Sequence, residues 1–322
     1  MKVLNYQDVL TEKFKRRKDI SEIEYHVNGQ CVHIGKISPG CRICFTNESG
    51  GGVQVGQGCN ANCPMCYYDR KRNDSLEPKT KIDNRLADLF YNIRQDNFKP
   101  ICMAYQSTGE TAIYHHYIEQ FALLYRQNCK DKNINTYHHY YTNGIFCDEE
   151  MLKRMKDVSI HEIRFHITAS NYTKEGKRNV DKVLKHMEIA KNMGFVVSVE
   201  EPSWPLHKKQ LTKLMKQFND IGVSHFNIVE VQVTEHNKDN IIRVYPEASI
   251  WKDYYWHLYD NGLVYDLMEE KVKNGYTFSM LDCNSGVERF RHGKFQQTVH
   301  FDYSSISGMC SDFDYFQYAE WF

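Results

Sequence analysis

The chain has 322 residues, enough for one large domain or two smaller ones. Lys plus Arg and Asp plus Glu balance at 41 each, so no net charge favours nucleic acid or an anionic membrane as a partner. Residues 1–10 lack the features of a signal peptide, and no apolar stretch is long enough to cross a bilayer, so we expect a cytoplasmic protein. Its 11 cysteines then point to metal ligation or redox chemistry rather than to disulfides.

After residue 49, short apolar runs alternate with segments of helical periodicity, which predicts β–α units around a parallel sheet. The spacing predicts six strands, at residues 52–55, 100–105, 135–141, 161–168, 195–200 and 225–233. The helices between them are predicted from about Ile82, and at residues 117–125, 148–158, 180–190 and 211–221.

Two extensions flank this core. Residues 1–48 predict a polar helix, a hairpin around Asn28 and Gly29, and a Cys-X-X-Cys pair. Residues 247–276 predict a long aromatic helix, and residues 277–322 predict irregular or hairpin structure. We therefore divide the chain into an N-terminal extension (1–48), a core (49–245) and a C-terminal extension (246–322).

The most informative motif is Cys59, Cys63 and Cys66, spaced CxxxCxxC on a glycine-led loop after the first predicted strand. Three thiolates at this spacing can ligate three irons of a cubane cluster, which usually takes four cysteines. The fourth iron is then open to a cofactor, much as a catalytic zinc keeps one position free. The alternatives are a structural zinc site with a fourth ligand elsewhere and a chance spacing in a chain with 11 cysteines.

With Met65 as the apolar residue before the third cysteine, this motif resembles the signature of the radical S-adenosylmethionine (radical SAM) superfamily. The resemblance implies that the open iron of a [4Fe-4S] cluster binds the amino and carboxylate groups of SAM. The reduced cluster would cleave SAM to methionine and a 5′-deoxyadenosyl radical. The fold it implies is α/β, a partial (β/α)6 parallel barrel with N- and C-terminal extensions.

Barrels place reactive groups at the C-terminal ends of their strands, so we look there for cofactor contacts. Thr108, Gly109 and Glu110 resemble the Gly-Gly-Glu motif of the superfamily, with Thr108 replacing the first glycine. The resemblance implies that Glu110 holds the SAM ammonium through a charge-assisted hydrogen bond. The same carboxylate could instead serve only as an anion at the start of the next helix.

Along the predicted strand at 161–168, Arg164, His166 and Thr168 share one polar face. A polar strand face in a barrel lines a cavity or meets water. By the resemblance, His166 and Thr168 contact the carboxylate or ribose of SAM. The alternative for His166 is an interior histidine with its hydrogen bonds satisfied.

The next two strands supply further candidates. Ser198 and Glu200 share one strand face and Glu201 lies on the other, and Glu200 is the better contact for the ribose or the substrate. The resemblance places the adenine of SAM against the backbone near Val231, with Met65 adding backbone from the cysteine loop.

A second cysteine set lies in the extensions. If both extensions pack at one end of the barrel, Cys41, Cys44, Cys283 and Cys310 could ligate an auxiliary iron–sulfur cluster or a zinc ion. Cys283 or Cys310 could instead donate a hydrogen atom to a substrate radical, as in an epimerase. Buried structural thiols are the third alternative.

These patterns favour a radical SAM enzyme that abstracts hydrogen from a C–H bond of a substrate. Extensions with such cysteines are common in peptide-modifying branches, so a ribosomal peptide or a small biosynthetic intermediate is the expected substrate. A flavodoxin or ferredoxin would supply the electron. A radical SAM enzyme acting on RNA would need a basic surface, and the balanced charge of the chain does not indicate one. A non-enzymatic zinc-binding module is the remaining alternative.

Overall fold

One mixed sheet of nine strands forms the centre of the described fold. The computed structural model describes residues 2–4, 24–25, 32–41, 50–54, 56–66, 68, 76, 79, 83–84, 87, 102–107, 109–229, 231–233, 236–246, 256–259 and 261–283. The strands are β1 (Lys2–Leu4), β2 (Glu24–Tyr25), β3 (Val32–Ile34), β4 (Gly50–Gln54), β5 (Cys102–Gln106), β6 (Tyr137–Thr142), β7 (Glu162–Phe165), β8 (Val196–Pro202), β9 (His225–Val229), β10 (Val231–Val233), β11 (Trp256–Tyr259) and β12 (Ser279–Cys283).

In the described residues, helices follow β5 through β8, β10 and β11. The α-helices are α1 (His115–Asp131), α2 (Glu149–Asp157), α3 (Val180–Asn192), α4 (Lys208–Ile221), α5 (Lys238–Val244) and α6 (Asn261–Asn274). Short 3-10 helices lie at Thr111–Tyr114, Ile167–Asn171 and Pro205–His207. Within the described residues, no helix is both long and apolar enough to cross a membrane.

The order of the large sheet is β2-β3-β12-β9-β8-β7-β6-β5-β4. The seven strands from β12 to β4 run parallel to one another. Strand β3 pairs antiparallel with β12, and β2 pairs antiparallel with β3. Because β2 and β4 remain at opposite edges, the described part of the sheet is open. This confirms the predicted α/β class and partial parallel barrel, and the six predicted strands correspond to β4 through β9.

Local sequence signals explain the helix boundaries. The Asp148 carboxylate caps α2 by accepting a hydrogen bond from the Met151 amide at 3.0 Å. Gly222 ends α4 with a φ of +78°, a left-handed conformation that favours glycine. The helix predicted from Ile82 lies mostly outside the described residues, although Lys79, Asp83, Asn84 and Ala87 are helical.

Alternation along the strands separates an apolar outer layer from a polar barrel interior. Outward-facing residues of β7 and β8, such as Phe165 and Val199, are fully buried under the helices. Arg164 faces the interior and is paired in register with Tyr141 on β6 and Ser198 on β8. The interior is therefore lined by buried polar groups, and these groups form hydrogen bonds with one another.

The prediction of one strand over residues 161–168 was too long. β7 ends at Phe165, and the chain then turns into the 3-10 helix Ile167–Asn171. The Thr168 amide donates to the Glu201 carboxylate at 3.0 Å instead of joining the strand ladder. Thr168 therefore lies beyond the strand face that carries Arg164.

The extensions differ in part from their predictions. Tyr25 pairs with Val32 in register, which confirms the hairpin around Asn28 and Gly29. The polar helix predicted in the same extension lies outside the described residues. The prediction of irregular or hairpin structure after residue 276 was wrong for β12, which pairs in parallel with β9 and forms a seventh strand.

A second small sheet, of order β1-β11-β10, accounts for two further errors. The predicted strand at 225–233 is divided, because β9 remains in the barrel while Val231 pairs antiparallel with Leu258 of β11. The long helix predicted at 247–276 was wrong at Trp256–Tyr259, which form strand β11, while Asn261–Asn274 form helix α6 and residues 247–255 lie outside the described residues.

Candidate active site

The cysteine loop follows β4 and is held in a compact turn. Gly56 and Gly58 adopt φ values of +154° and +114°, the region that favours glycine. Cys59, Cys63 and Cys66 are half-buried thiols rather than disulfides. The Cys66 amide donates to the Cys63 carbonyl at 3.1 Å, which closes a tight backbone turn between these two residues.

The surroundings of the Cys59 thiol oppose its ionisation. Burial raises the pKa of Cys59 to about 12, and the neighbouring Glu110 carboxylate and Cys66 add to this. Among the described residues, no three His, Cys, Asp or Glu side chains converge as they would around a bound ion. The donor set nevertheless fits an iron–sulfur cluster in chemistry, because a soft metal centre takes thiolates and its binding releases their protons.

The cysteine loop is fixed to the turn that follows β5. The Glu110 amide donates to the Gly58 carbonyl at 2.9 Å. A Cβ atom on Gly109 would lie 1.9 Å from that same oxygen, so only glycine fits there. The Tyr114 hydroxyl donates to the Gln57 carbonyl. Gly109 and Glu110 are thus brought beside the cysteine loop, while Thr108 lies outside the described residues.

The Glu110 side chain ties two strand ends together. Its Oε1 accepts hydrogen bonds from the Ala112 amide at 2.9 Å and the Thr142 hydroxyl at 2.5 Å, and its Oε2 accepts from the Asn143 amide at 2.7 Å. Burial raises the pKa of Glu110, and these three hydrogen bonds oppose the increase. In this structure the carboxylate caps the helix Thr111–Tyr114, and its contact with a SAM ammonium stays a prediction.

Two further attachments of the loop were not identified from the sequence. The Asn143 side chain donates to Oδ1 of Asn60 at 2.6 Å, and the Asn62 amide donates to the Tyr172 carbonyl at 2.7 Å. The segment Thr142-Asn143-Gly144 is typical of a turn, but a sequence does not say which loop an asparagine side chain will contact.

Met65 and Val231 are brought together as parts of one buried cluster that includes Trp204 and Ile241. The Met65 carbonyl accepts a hydrogen bond from the Asn237 side chain at 3.0 Å. The cysteine loop is therefore anchored at both ends. The adenine contact predicted for Met65 and Val231 stays a prediction.

His166 and Glu200 face each other inside the barrel mouth. Nε2 of His166 lies 4.0 Å from Oε1 of Glu200, and the His166 ring stacks on Tyr141 with centroids 6.0 Å apart. Burial lowers the pKa of His166, and the Glu200 carboxylate opposes this. Ser198 lies on the same strand face as Glu200 and is fully buried. Whether these groups touch SAM stays a prediction.

Thr168 is occupied by Glu201 on the neighbouring strand. The Thr168 amide donates to Oε1 of Glu201 at 3.0 Å, and its hydroxyl donates to Oε2. Burial raises the pKa of Glu201 to about 8 despite these bonds. The sequence placed Glu201 on the opposite strand face from Glu200 and gave no signal for this pairing.

Of the auxiliary cysteine set, Cys41 is the member whose surroundings are described. Its buried sulfur accepts hydrogen bonds from Arg164 Nη2 at 3.3 Å and Asn227 Nδ2 at 3.7 Å. Cys44 and Cys310 lie outside the described residues, and for Cys283 the backbone alone is described, in register with Val229. The auxiliary metal site and the hydrogen-donor role therefore stay predictions.

Comparison with known proteins places this chain in a family. A model of the radical SAM superfamily matches residues 53–228, more than half of the chain. The match begins on β4, spans the cysteine loop and ends on β9. The chain therefore belongs to the radical SAM superfamily, and this membership implies an iron–sulfur cluster and SAM as cofactors.

Solved structures agree on the fold. Native anSMEcpe with bound AdoMet is 17% identical, with a TM-score of 0.53 over 72% of this chain and 64% of that chain. Native anSMEcpe with bound AdoMet and Cp18Cys peptide has 17% identity and a TM-score of 0.52 over 72% and 62% of the two chains. Streptococcus suis SuiB has 11% identity and a TM-score of 0.50 over 83% and 57%. This chain thus matches less than two thirds of these chains. No curated protein matches it.

Proposed function

We propose that this chain is a radical SAM enzyme whose Cys59, Cys63 and Cys66 hold a [4Fe-4S] cluster. When bound, the reduced cluster would cleave SAM to a 5′-deoxyadenosyl radical, which abstracts hydrogen from a C–H bond of a substrate. The observation that carries the proposal is the attachment of the cysteine loop to the end of β5 through Gly58 and Glu110. Three thiols and a buried carboxylate thereby share one end of a parallel barrel.

The surrounding residues have separate roles in this proposal. The cysteine loop would present the cluster after its side chains close around the metal, since the thiols do not converge as they stand. The proposed contacts to SAM, beside the carboxylate of Glu110, are Met65, Thr108, Gly109, His166, Thr168, Ser198, Glu200 and Val231. Cys41, Cys44, Cys283 and Cys310 are proposed as auxiliary ligands for a second cluster or zinc, and Cys283 or Cys310 as hydrogen donors in the alternative.

The proposed substrate is a peptide, with a small biosynthetic intermediate as the alternative. Support comes from anSMEcpe, whose fold this chain shares over 72% of its length and which has been solved with a bound peptide. A flavodoxin or ferredoxin is the proposed electron donor, because the cluster must be reduced before SAM is cleaved. The balanced charge of the chain gives RNA no corresponding support.

The first experiment tests the cluster and SAM cleavage. The protein is reconstituted anaerobically, its iron and sulfide are counted, and 5′-deoxyadenosine is measured after addition of dithionite and SAM. About four irons per chain indicate one cubane cluster, and about eight indicate an auxiliary cluster as well. We expect C59A/C63A/C66A to lose deoxyadenosine formation, whereas Cys129→Ala, a buried cysteine on α1, retains it. Equal formation of 5′-deoxyadenosine by the triple variant and the wild type would refute the proposal.

A second experiment identifies the class of substrate. Deuterium-labelled peptide, RNA and small-metabolite pools are each incubated with the reconstituted enzyme, SAM and dithionite. The pool whose deuterium appears in 5′-deoxyadenosine contains the hydrogen that was abstracted. Transfer from the peptide pool supports the proposal, and transfer from RNA or small metabolites alone replaces the peptide with that class.

A further inference from the structure

The guanidinium of Arg164 is completely buried in the barrel interior and has five hydrogen-bond partners. A guanidinium carries five N–H donors in a rigid planar arrangement, so each donor is used once. Nε donates to Glu162 at 2.7 Å. The remaining donors reach Tyr141 at 3.1 Å, Glu200 at 3.3 Å, Ser38 at 2.8 Å and Cys41 at 3.3 Å.

Two of these partners come from a segment far away in sequence. Residues 35–41, here called the floor segment, follow β3 and enter the barrel interior from the end where the parallel strands begin. A Cβ atom on Gly40 would lie 2.9 Å from Nδ1 of His139 and 3.2 Å from Arg164 Nη2, so the backbone of the segment presses on the barrel lining. The Ser38 oxygen also accepts the Cys41 amide at 3.2 Å.

On the opposite side, Arg164 holds the Glu200 carboxylate by one oxygen. Oε2 of Glu200 accepts from Nη1, while the buried Oε1 has no hydrogen-bond partner among the described residues. That free oxygen lies 4.0 Å from His166 Nε2, on the side of the barrel mouth. A buried acceptor without a donor is costly, so Oε1 is suited to receive a donor from a bound molecule.

We infer that Ser38 and Arg164 are positioning residues that orient Glu200 for a hydroxyl of the bound SAM. The floor segment is thereby part of the cofactor site although it never reaches the barrel mouth. This inference rests on the proposed function, in which Glu200 contacts SAM. The hydrogen bond from Arg164 to Ser38 fixes the plane of the guanidinium. The hydrogen bond from the guanidinium to Glu200 then fixes the orientation of the carboxylate.

The test is a double-mutant cycle on SAM binding to the reconstituted enzyme, measured by anaerobic calorimetry. We expect Ser38→Ala to weaken SAM binding about tenfold and Glu200→Gln to weaken it by at least as much. The double variant S38A/E200Q should bind no more weakly than E200Q alone, because Ser38 acts through Glu200. Ser279→Ala is the matched control, since it removes a buried hydroxyl at the same barrel end that bonds to His225 and not to Arg164.

Additive losses in the double variant, or wild-type binding by S38A, would overturn the inference. If S38A does not fold, Arg164→Lys takes its place in the cycle, because an ammonium retains the charge beside Glu162 without reaching Ser38 and Glu200 together. A wild-type enzyme that binds no SAM refutes the proposed function itself. A wild-type enzyme that binds SAM while the cycle is additive refutes only the positioning role.

Discussion

The amide nitrogen of Glu110 donates a hydrogen bond of 2.9 Å to the carbonyl oxygen of Gly58. This bond joins the cysteine loop to the turn after β5, and the two segments are more than 50 residues apart in the chain. A Cβ on the intervening residue Gly109 would lie 1.9 Å from the same oxygen. Close backbone approach, rather than a special backbone angle, is therefore the reason for glycine at position 109.

Gly109→Ala should disrupt this attachment. The added methyl cannot be accommodated without moving the cysteine loop, so we expect a loss of about 3 kcal/mol in the free energy of unfolding. We also expect lower iron content after reconstitution. Gly176→Ala is the control, because its Cβ would meet nothing within 4 Å and its φ of +70° costs only about 1 kcal/mol. Equal stability and iron content in the two variants would contradict the prediction.

Thr142→Val should destabilise the fold by removing a hydrogen bond to a buried carboxylate. The Thr142 hydroxyl donates to Glu110 at 2.5 Å and accepts the Gly144 amide at 3.0 Å. Loss of a hydrogen bond to a charged group costs about 2 kcal/mol, which urea unfolding can measure. Thr142→Ser keeps the hydroxyl and should lose less than half as much. Equal free energies of unfolding for T142V and T142S would contradict this prediction.

Glu201 makes stability depend on pH in a direction opposite to that of most carboxyl groups. Its pKa is raised by burial from 4.5 to about 8, so between these values the folded state retains a proton that the unfolded state has released. The contribution of Glu201 to stability is therefore present below about pH 4.5 and is lost as the pH rises to about 8. The slope is roughly 1.4 kcal/mol per pH unit.

Glu201→Gln should remove this dependence, since the amide oxygen can still accept from the Thr168 amide. We expect the difference in unfolding free energy between E201Q and wild type to increase in favour of E201Q from pH 5 to pH 8. Urea unfolding at three pH values measures this difference. The contributions of the other titrating groups are the same in both proteins and therefore cancel in the difference. Parallel pH profiles of the two proteins would show that Glu201 is not protonated in the folded state.

Arg164→Met should be the most destabilising of these changes. Burial alone would raise the pKa of Glu162, but Arg164 holds it at about 2, so Glu162 is a buried anion that depends on this partner. Breaking a buried ion pair from one side costs about 3–5 kcal/mol. E162Q/R164M should recover part of that loss, as measured by urea unfolding. No recovery in the double variant would mean that the packing of Arg164, and not its charge, is what matters.

Much of the fold was predictable because its signals are local. The turn residues and apolar stripes that delimit β4 through β9 lie within short windows of sequence. The errors occurred where a strand is defined by its partner. Ser279–Cys283 has no strong pattern of its own, and it becomes a strand because β9 offers a free parallel edge. Val231 leaves the barrel because β11 pairs with it.

The sequence by itself determined which thiols the cysteine loop carries and how they are spaced, because the spacing of Cys59, Cys63 and Cys66 is a property of one short segment. Only the tertiary structure decided which groups surround that loop and which carboxylate oxygens are already occupied. Glu110 is bonded to Thr142 and Asn143, and Arg164 is bonded to Ser38, more than 100 residues away. Such contacts depend on strand register and on the path of distant segments through the barrel, which no local pattern encodes.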